Sequence, residues 1–157
     1  MIIRMQALEL KIPPPAVAVL IAGAMWGISL VAPLLEAPMF IRVAAALAIA
    51  LAGGGFSLAG VISFRRARTT VNPMKPETTS SLVCSGIYRV TRNPMYVGLL
   101  FVLVAWAVFL SSAWALLGLL AFVLYINRFQ IAPEERVLSA MFGTGYSAYI
   151  SRVRRWL

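Results

Sequence analysis

The chain has 157 residues, of which 61% are apolar and only 12% are charged, and its formal net charge is +9. An average soluble domain carries about 25% charged residues, so this composition predicts an all-α protein embedded in a lipid bilayer. All five acidic residues are glutamates and the chain has no histidine, which excludes Ser-His-Asp hydrolases, histidine-ligated zinc or haem sites and aspartyl-phosphate chemistry.

Four apolar stretches are candidates for membrane-spanning helices, which need about 20 apolar residues each. They cover residues 16–35, 40–64, 95–110 and 113–131. Only two residues separate the last two stretches, so we predict a helical hairpin over residues 95–131. A cleaved signal peptide is the alternative for residues 1–32, but its apolar run exceeds an h-region of about 7 to 15 residues, and we predict a retained anchor helix.

Glycines in the first two stretches leave structural alternatives open. Gly23 and Gly27 have the spacing of a close-packing helix motif. This motif favours packing within the chain over a dimer contact, and no oligomeric state follows from the sequence. Gly53, Gly54 and Gly55 either bend the second helix or allow another helix to approach it.

The positive charges predict the orientation in the membrane, because Lys and Arg accumulate in short cytoplasmic loops. Thirteen of the fourteen cations fall on one side of the four stretches, and Arg42 is the exception. We therefore predict cytoplasmic termini, a cytoplasmic segment over residues 65–94 and a bacterial inner membrane. A nucleic-acid partner is the rival explanation of the charge, but the cations follow the spans instead of one soluble face, so we expect the bilayer as partner.

The segment between the second and third stretches is polar and rich in turns, as functional loops are. Residues 82–86 indicate an extended piece followed by a turn. Asn93 and Pro94 form a helix-start signal, which places Arg92 at the positive end of the third helix, where an anion is favoured. The alternative is that Asn93 only caps the helix and Arg92 only anchors it at the lipid headgroups.

Two adjacent carboxylates, Glu134 and Glu135, follow the fourth stretch. They are unfavourable beside the negative inner leaflet and need a partner: either the basic loop, or the hydroxyl groups or cation of a ligand. Apolar residues spaced three or four apart over residues 138–156 predict an amphipathic helix, which Gly143 and Gly145 break into two pieces.

These motifs, in this order and spacing, resemble the isoprenylcysteine carboxyl methyltransferase family, which is similar to the integral-membrane phospholipid N-methyltransferases. The resemblance covers residues 65–157, within a single domain over 1–157 that adds two N-terminal spans over 1–64. It rests on Gly86-x-Tyr88, Arg92-Asn93-Pro94-Met95-Tyr96-x-Gly98, the apolar hairpin, Glu134-Glu135-x-x-Leu138, Phe142-Gly143-x-x-Tyr146-x-x-Tyr149 and the closing Val153-Arg154-Arg155-Trp156-Leu157. It implies S-adenosyl-L-methionine (SAM) as methyl donor, bound at the cytoplasmic face, and no metal.

The resemblance also implies roles for individual residues. The cofactor-binding set is Ser80, Ser81, Leu82, Val83, Tyr88, Asn93, Pro94, Met95, Tyr96 and Glu134. Arg92 and Glu135 are the candidate catalytic residues, and Arg128 and Gln130 are the candidate substrate contacts. Asn93 replaces a histidine of the eukaryotic enzymes, and Gln130 replaces the arginine assigned there to the prenylcysteine carboxylate. These departures weaken the case for a prenylcysteine acceptor.

The residue types suit methyl transfer from SAM. Glu134 can accept the ribose hydroxyls, Arg92 can bind the methionyl carboxylate, and Tyr88 and Tyr96 offer ring faces to adenine or to the sulfonium. Displacement at an activated methyl group depends on orientation and exclusion of water, without an obligatory strong base. Where an amine is the acceptor, its proton goes towards Glu135 or water.

We therefore predict a membrane-embedded, SAM-dependent methyltransferase that acts on an amphiphilic or small hydrophobic acceptor. A phospholipid amine N-methyltransferase is the alternative enzyme. From another class, the alternative is a non-catalytic membrane scaffold or carrier, in which the two glutamates only hold the basic loop.

Overall fold

The computed structural model describes residues 9–32, 35–67 and 81–157. The helices are α1 (Pro14–Ser29), α2 (Met39–Arg66), α3 (Pro94–Leu110), α4 (Leu116–Ile126) and α5 (Ala132–Ile150). Two short 3₁₀ helices cover Gly86–Arg89 and Ala113–Ala115, and a π-helical turn over Asn127–Ile131 joins α4 to α5. Within these ranges the extended pairing consists of an isolated bridge between Thr91 and Arg154, which confirms the all-α prediction for the described chain.

The ends of the helices follow local backbone chemistry. Proline occupies the first turn of α1 and of α3, where its missing N–H has no helical partner to lose. Ser111 adopts a left-handed conformation with φ of 53° and ends α3, which produces the predicted hairpin. α1 ends at Ser29, before the predicted end at residue 35, because Leu35 instead exchanges hydrogen bonds with Ser111 at the hairpin turn.

α2 and α3 pack against each other in opposite directions at close range. A Cβ atom at Gly53 would lie 2.7 Å from the carbonyl oxygen of Gly98 and 2.8 Å from Cβ of Phe101. A Cβ atom at Gly98 would overlap the hydroxyl of Ser57. Since α2 continues as one helix through Gly53, the glycine run allows helix approach and does not break the helix.

α1 packs against α3 and α4 through the face that carries Met25, which is fully buried. The indole N–H of Trp106 donates to the carbonyl of Ala22 at 3.0 Å. A Cβ atom at Gly23 or Gly27 would meet nothing within 4 Å. The prediction that these two glycines pack within the chain is therefore wrong, because α1 turns them away from the bundle.

The outer surface of the helices is apolar. α2 and the continuous helical run Ala113–Ile150 are long and apolar enough to cross a membrane, with 28 and 38 residues, while α1 and α3 are shorter apolar helices. Phe40, Leu47, Leu51 and Leu58 of α2 are between 60% and 77% exposed. A contiguous apolar surface of this kind is typical of a protein that faces lipid.

The C-terminal part differs from the predicted amphipathic helix over residues 138–156. Gly143 has φ of 50° and ψ of −122° and kinks α5 as expected, whereas Gly145 stays helical. The helix ends at Ile150, so residues 151–157 form a tail, and the prediction of a helix to residue 156 is wrong. The reason is main-chain pairing: the N–H of Arg92 donates to the carbonyl of Arg154 at 2.9 Å.

The close approach of α2 and α3 predicts a selective effect of small substitutions. We expect Gly53→Ala to lower the free energy of unfolding by about 1 to 3 kcal/mol, because the new methyl group meets a backbone carbonyl in a packed contact. Gly54→Ala is the matched control, since its Cβ faces open space, and it should leave stability unchanged or raise it by up to about 1 kcal/mol, because alanine has the higher helix propensity. Thermal unfolding in detergent measures both, and equal effects would contradict the close contact.

Candidate functional site

Three segments that are distant in sequence meet at one end of the helical bundle. The loop before α3 contributes Arg92, and the first turn of α3 contributes Tyr96. The first turn of α5 contributes Glu134 and Glu135, and the C-terminal tail contributes Arg155. The structure therefore brings together the two motifs from which the sequence predicts a binding site.

Tyr96 and Glu134 form the central contact. The Tyr96 hydroxyl donates to Oε1 of Glu134 at 2.5 Å, and Tyr96 is 4% exposed. Glu134 follows the apolar stretch that ends at Ile131. Burial raises the pKa of Glu134 to about 8; the hydrogen bond from Tyr96 opposes this shift, and the charge of Glu135 adds to it. A buried carboxyl group that titrates near neutrality is typical of functional sites.

Glu135 lies between two arginines. Its Oε1 is 3.1 Å from Nη1 of Arg92 and 3.1 Å from Nε of Arg155, and its Oε2 is 2.5 Å from Nη2 of Arg155. Of the two predicted alternatives, Glu135 thus pairs with the basic loop, through Arg92. Glu134 contacts no cation among the residues that the structure describes.

Asn93 occupies the predicted N-cap position of α3, but its side chain does not cap the helix. Its Nδ2 instead donates to the carbonyl of Arg155 at 2.9 Å, and the Thr91 hydroxyl donates to the same carbonyl at 3.2 Å. Pro94 is buried and Met95 is half-buried, both in contact with α2. The predicted motif therefore holds the C-terminal tail against the start of α3.

The π-helical turn over Asn127–Ile131 is held by both ends of the described chain. The N–H of Leu10 donates to the carbonyl of Phe129 at 3.0 Å. The indole N–H of Trp156 donates to Oδ1 of Asn127 at 3.0 Å. Such turns are rare and frequent at functional sites. Here the turn directly precedes α5 and so determines which way Glu134 points.

The two predicted substrate residues are both engaged within the chain. Gln130 is fully buried; its Nε2 donates to the carbonyl of Ile12 at 2.8 Å, while its Oε1 has no partner in the described part of the chain. Nη1 of Arg128 lies 2.8 Å from Oε1 of Glu9, and Arg136 binds the other oxygen of the same carboxylate. Arg128 thus shares the one carboxylate of Glu9 with Arg136.

The loop residues predicted to bind the cofactor lie along the end of α2. Ser80 is outside the described residues. The Ser81 hydroxyl donates to the carbonyl of Ala67 at 3.4 Å, Leu82 is half-buried, and Val83 is buried. This stretch is therefore positioned by α2, but the structure gives it no direct contact with Tyr96 or Glu134.

Tyr88 is buried beside this loop, with its ring packed edge-on against Phe64 at a centroid distance of 5.3 Å. Its carbonyl accepts a hydrogen bond from the Tyr149 hydroxyl at 2.8 Å. Burial raises the pKa of the Tyr88 phenol above its usual value, so the side chain stays neutral. Tyr88 thus contacts α2 through its ring and α5 through its backbone carbonyl.

Arg155 is the site residue that sequence reasoning missed. The closing motif over residues 153–157 was part of the resemblance, but no function was assigned to it. The apolar spacing of the C-terminal part indicated a helix, and a helix would have carried Arg155 away from the loop. The long-range bonds to Thr91, Arg92 and Asn93 instead return the tail to the start of α3.

Parts of the chain are similar to known proteins. The family model described as phospholipid methyltransferase matches residues 41–145, about two thirds of the chain. An uncharacterized protein of Haemophilus influenzae is 49% identical over 63 residues, which are 40% of this chain and 100% of that protein. No solved structure matches the chain. The family match includes Tyr96 and Glu134 and ends before Arg155.

The tail contacts predict the effect of a substitution at Asn93. Asn93→Leu removes the donor to the Arg155 carbonyl at similar side-chain volume. A net hydrogen bond is worth about 1 kcal/mol, so we expect the detached tail to be populated about fivefold more. Carboxypeptidase release of the C-terminal residues measures this. Ser151→Ala is the control, since the Ser151 hydroxyl donates to the carbonyl of Ala148 near the end of α5. Equal release from both variants would contradict the role of Asn93.

Proposed function

Because the chain belongs to the phospholipid methyltransferase family, a family of membrane methyltransferases, we propose that it transfers the methyl group of SAM to an amphiphilic or small hydrophobic acceptor at the membrane surface. The observation that carries this proposal is the Tyr96–Glu134 hydrogen bond. It joins the first turn of α3 to the first turn of α5 and so brings two buried polar side chains together at one end of an apolar bundle.

In the proposed topology α1, α2, α3 and the helical run over residues 113–131, which contains α4, each cross the bacterial inner membrane, with both termini in the cytoplasm. The helices alternate in direction, and among the described residues Arg42 and Glu36 lie at the end opposite the site. The other described cations are at the end of the site, as expected for the cytoplasmic side. The 16 residues of α1 and the 17 of α3 span about 24 to 26 Å, which local thinning of the bilayer accommodates.

The donor set fits SAM. Oε1 of Glu134 accepts from Tyr96, and Oε2 remains for the ribose hydroxyls. Arg92 is a partner for the methionyl carboxylate, since its Nε is buried without a hydrogen-bond partner in the described part of the chain. The loop over residues 80–83, with Tyr88, would flank the adenine. When bound, SAM supplies a methyl group on a sulfonium leaving group; the chain holds this group in line with the acceptor and excludes water.

One observation favours an amine over a carboxylate as the acceptor. Gln130 occupies the position at which the resembling enzymes have a carboxylate-binding arginine. Its amide donor is used by Ile12, so its buried Oε1 offers an acceptor instead. Arg128 is already paired with Glu9. These groups suit a headgroup that donates N–H bonds, so we propose the amine of a phospholipid as the second candidate acceptor, with its proton passing to water.

Glu134→Gln tests the cofactor site. Charge-assisted hydrogen bonds are worth about 1.5 to 3 kcal/mol, so we expect the variant to bind SAM about 10-fold to 100-fold more weakly while its melting temperature is retained. Isothermal calorimetry on the detergent-purified chain measures the affinity. Glu36→Gln is the control, because Glu36 is exposed and far from the site. Unchanged affinity in Glu134→Gln would remove Glu134 from the proposed role.

The pH dependence of the same binding is a second readout. Binding that needs the ionised form of Glu134 is weakened below its pKa of about 8, by about tenfold per pH unit. SAM affinity of the wild type should therefore rise between about pH 6 and about pH 8 and then level off. Glu134→Gln should lack this rise, which separates Glu134 from other groups that titrate in this range.

The acceptor class is tested with SAM carrying a labelled methyl group. We expect the label in phosphatidylethanolamine vesicles and little in vesicles that contain a prenylcysteine amphiphile, because Gln130 offers a buried hydrogen-bond acceptor where a carboxylate would need a cation. If only the carboxylate of the prenylcysteine amphiphile is labelled, the amine assignment is overturned.

Absence of SAM binding to the wild type would overturn the methyltransferase proposal itself and favour the scaffold or carrier.

A further inference from the structure

Two guanidinium groups converge at the cytoplasmic end of α3, one from the loop and one from the tail. Arg155 holds Glu135 with Nε and Nη2, and Arg92 holds it with Nη1. Their side chains are 38% and 14% exposed. One carboxylate does not neutralise two guanidinium groups, so this cluster keeps a net positive charge.

The donors left over point to a ligand. With Nη1 of Arg92 on Glu135, its Nε is buried without a partner in the described residues. Arg155 retains Nη1 after its two bonds to Glu135. A buried unpaired donor on a charged group is costly, and the planar guanidinium fork matches carboxylate and phosphate oxygens. An anion is therefore the ligand that would satisfy these groups.

The position of Arg155 is fixed by its backbone. Its carbonyl accepts hydrogen bonds from Thr91 and Asn93, and the carbonyl of the preceding Arg154 accepts from the N–H of Arg92. The tail is thus tied to the same loop that carries Arg92. Nε of Arg152, another arginine of this tail, donates instead to the carbonyl of Ala148 near the end of α5. Arg155 therefore joins the cluster because these backbone bonds place it there, whereas Arg152, with the same charge, does not.

We propose that Arg92 and Arg155 form an anion-binding subsite that the C-terminal tail completes and in which Glu135 aligns the two guanidinium groups. The inference rests on the proposed function and deepens it, because the ligand is a carboxylate or phosphate group brought in by a reactant. Two sources share this chemistry: the methionyl carboxylate of SAM and the phosphate of an acceptor phospholipid. Arg155 is then a binding residue outside the region of the family match.

The test compares binding of SAM and of decarboxylated SAM, which lacks the carboxylate, to the detergent-purified full chain. If the anion is the cofactor carboxylate, Arg155→Gln weakens SAM binding about tenfold or more and leaves decarboxylated SAM unchanged. If the anion is the lipid phosphate, Arg155→Gln weakens binding of a soluble short-chain phospholipid about tenfold and leaves SAM unchanged. Either result supports the subsite.

Arg152→Gln is the matched control, since it removes the same charge from the same tail. Equal affinities of Arg155→Gln and Arg152→Gln for SAM and for the short-chain phospholipid would overturn the subsite. So would a wild type that binds neither ligand. Failure of SAM binding with retained phospholipid binding would instead overturn the methyltransferase proposal alone.

Arg155→Lys keeps the charge without the fork; partial recovery of affinity in this variant excludes a folding defect as the cause of the Arg155→Gln result.

Discussion

The buried hydrogen bond between Tyr96 and Glu134 is the contact on which the rest of the site depends. A buried carboxyl group loses its hydration and needs a compensating partner. The phenol of Tyr96 provides that partner from another helix, so the position of α5 is coupled to that of α3. α3 is in turn held against α2 by the contact of Gly53 with Gly98. The packing of α2 against α3 therefore also positions Tyr96.

The two ends of the described chain converge on the turn that precedes α5. The N-terminal segment contributes Glu9 and Leu10, and the tail contributes Trp156. A π-helical turn has poorer hydrogen bonding than an α-helix, so it persists where outside groups bind its backbone and side chains. The segments at both ends therefore act as structural parts of the site, although neither contains an apolar run that would indicate this.

The sequence predicts those features of the fold that depend on local chemistry. Apolar runs, prolines and the short connection at Ser111 are sufficient to predict the helices and the hairpin. The order and spacing of the motifs are sufficient to predict that Tyr96 and Glu134 belong to one site. The tail was predicted wrongly because its apolar spacing continues the helical pattern, while long-range main-chain bonds decide its conformation. The choice between a bend and a close approach at Gly53 likewise depends on which helix lies opposite, and this information is absent from local sequence.

The adjacent glutamates show how one helical turn supplies two different groups. Successive residues of a helix point about 100° apart, so Glu134 faces the hydroxyl of Tyr96 while Glu135 faces Arg92 and Arg155. Two guanidinium groups pair with Glu135, whereas burial raises the pKa of Glu134 to about 8. Neighbouring carboxyl groups in such different environments take different roles. Since Glu135 is committed to aligning the arginines, Glu134 is the carboxylate that remains available to a ligand.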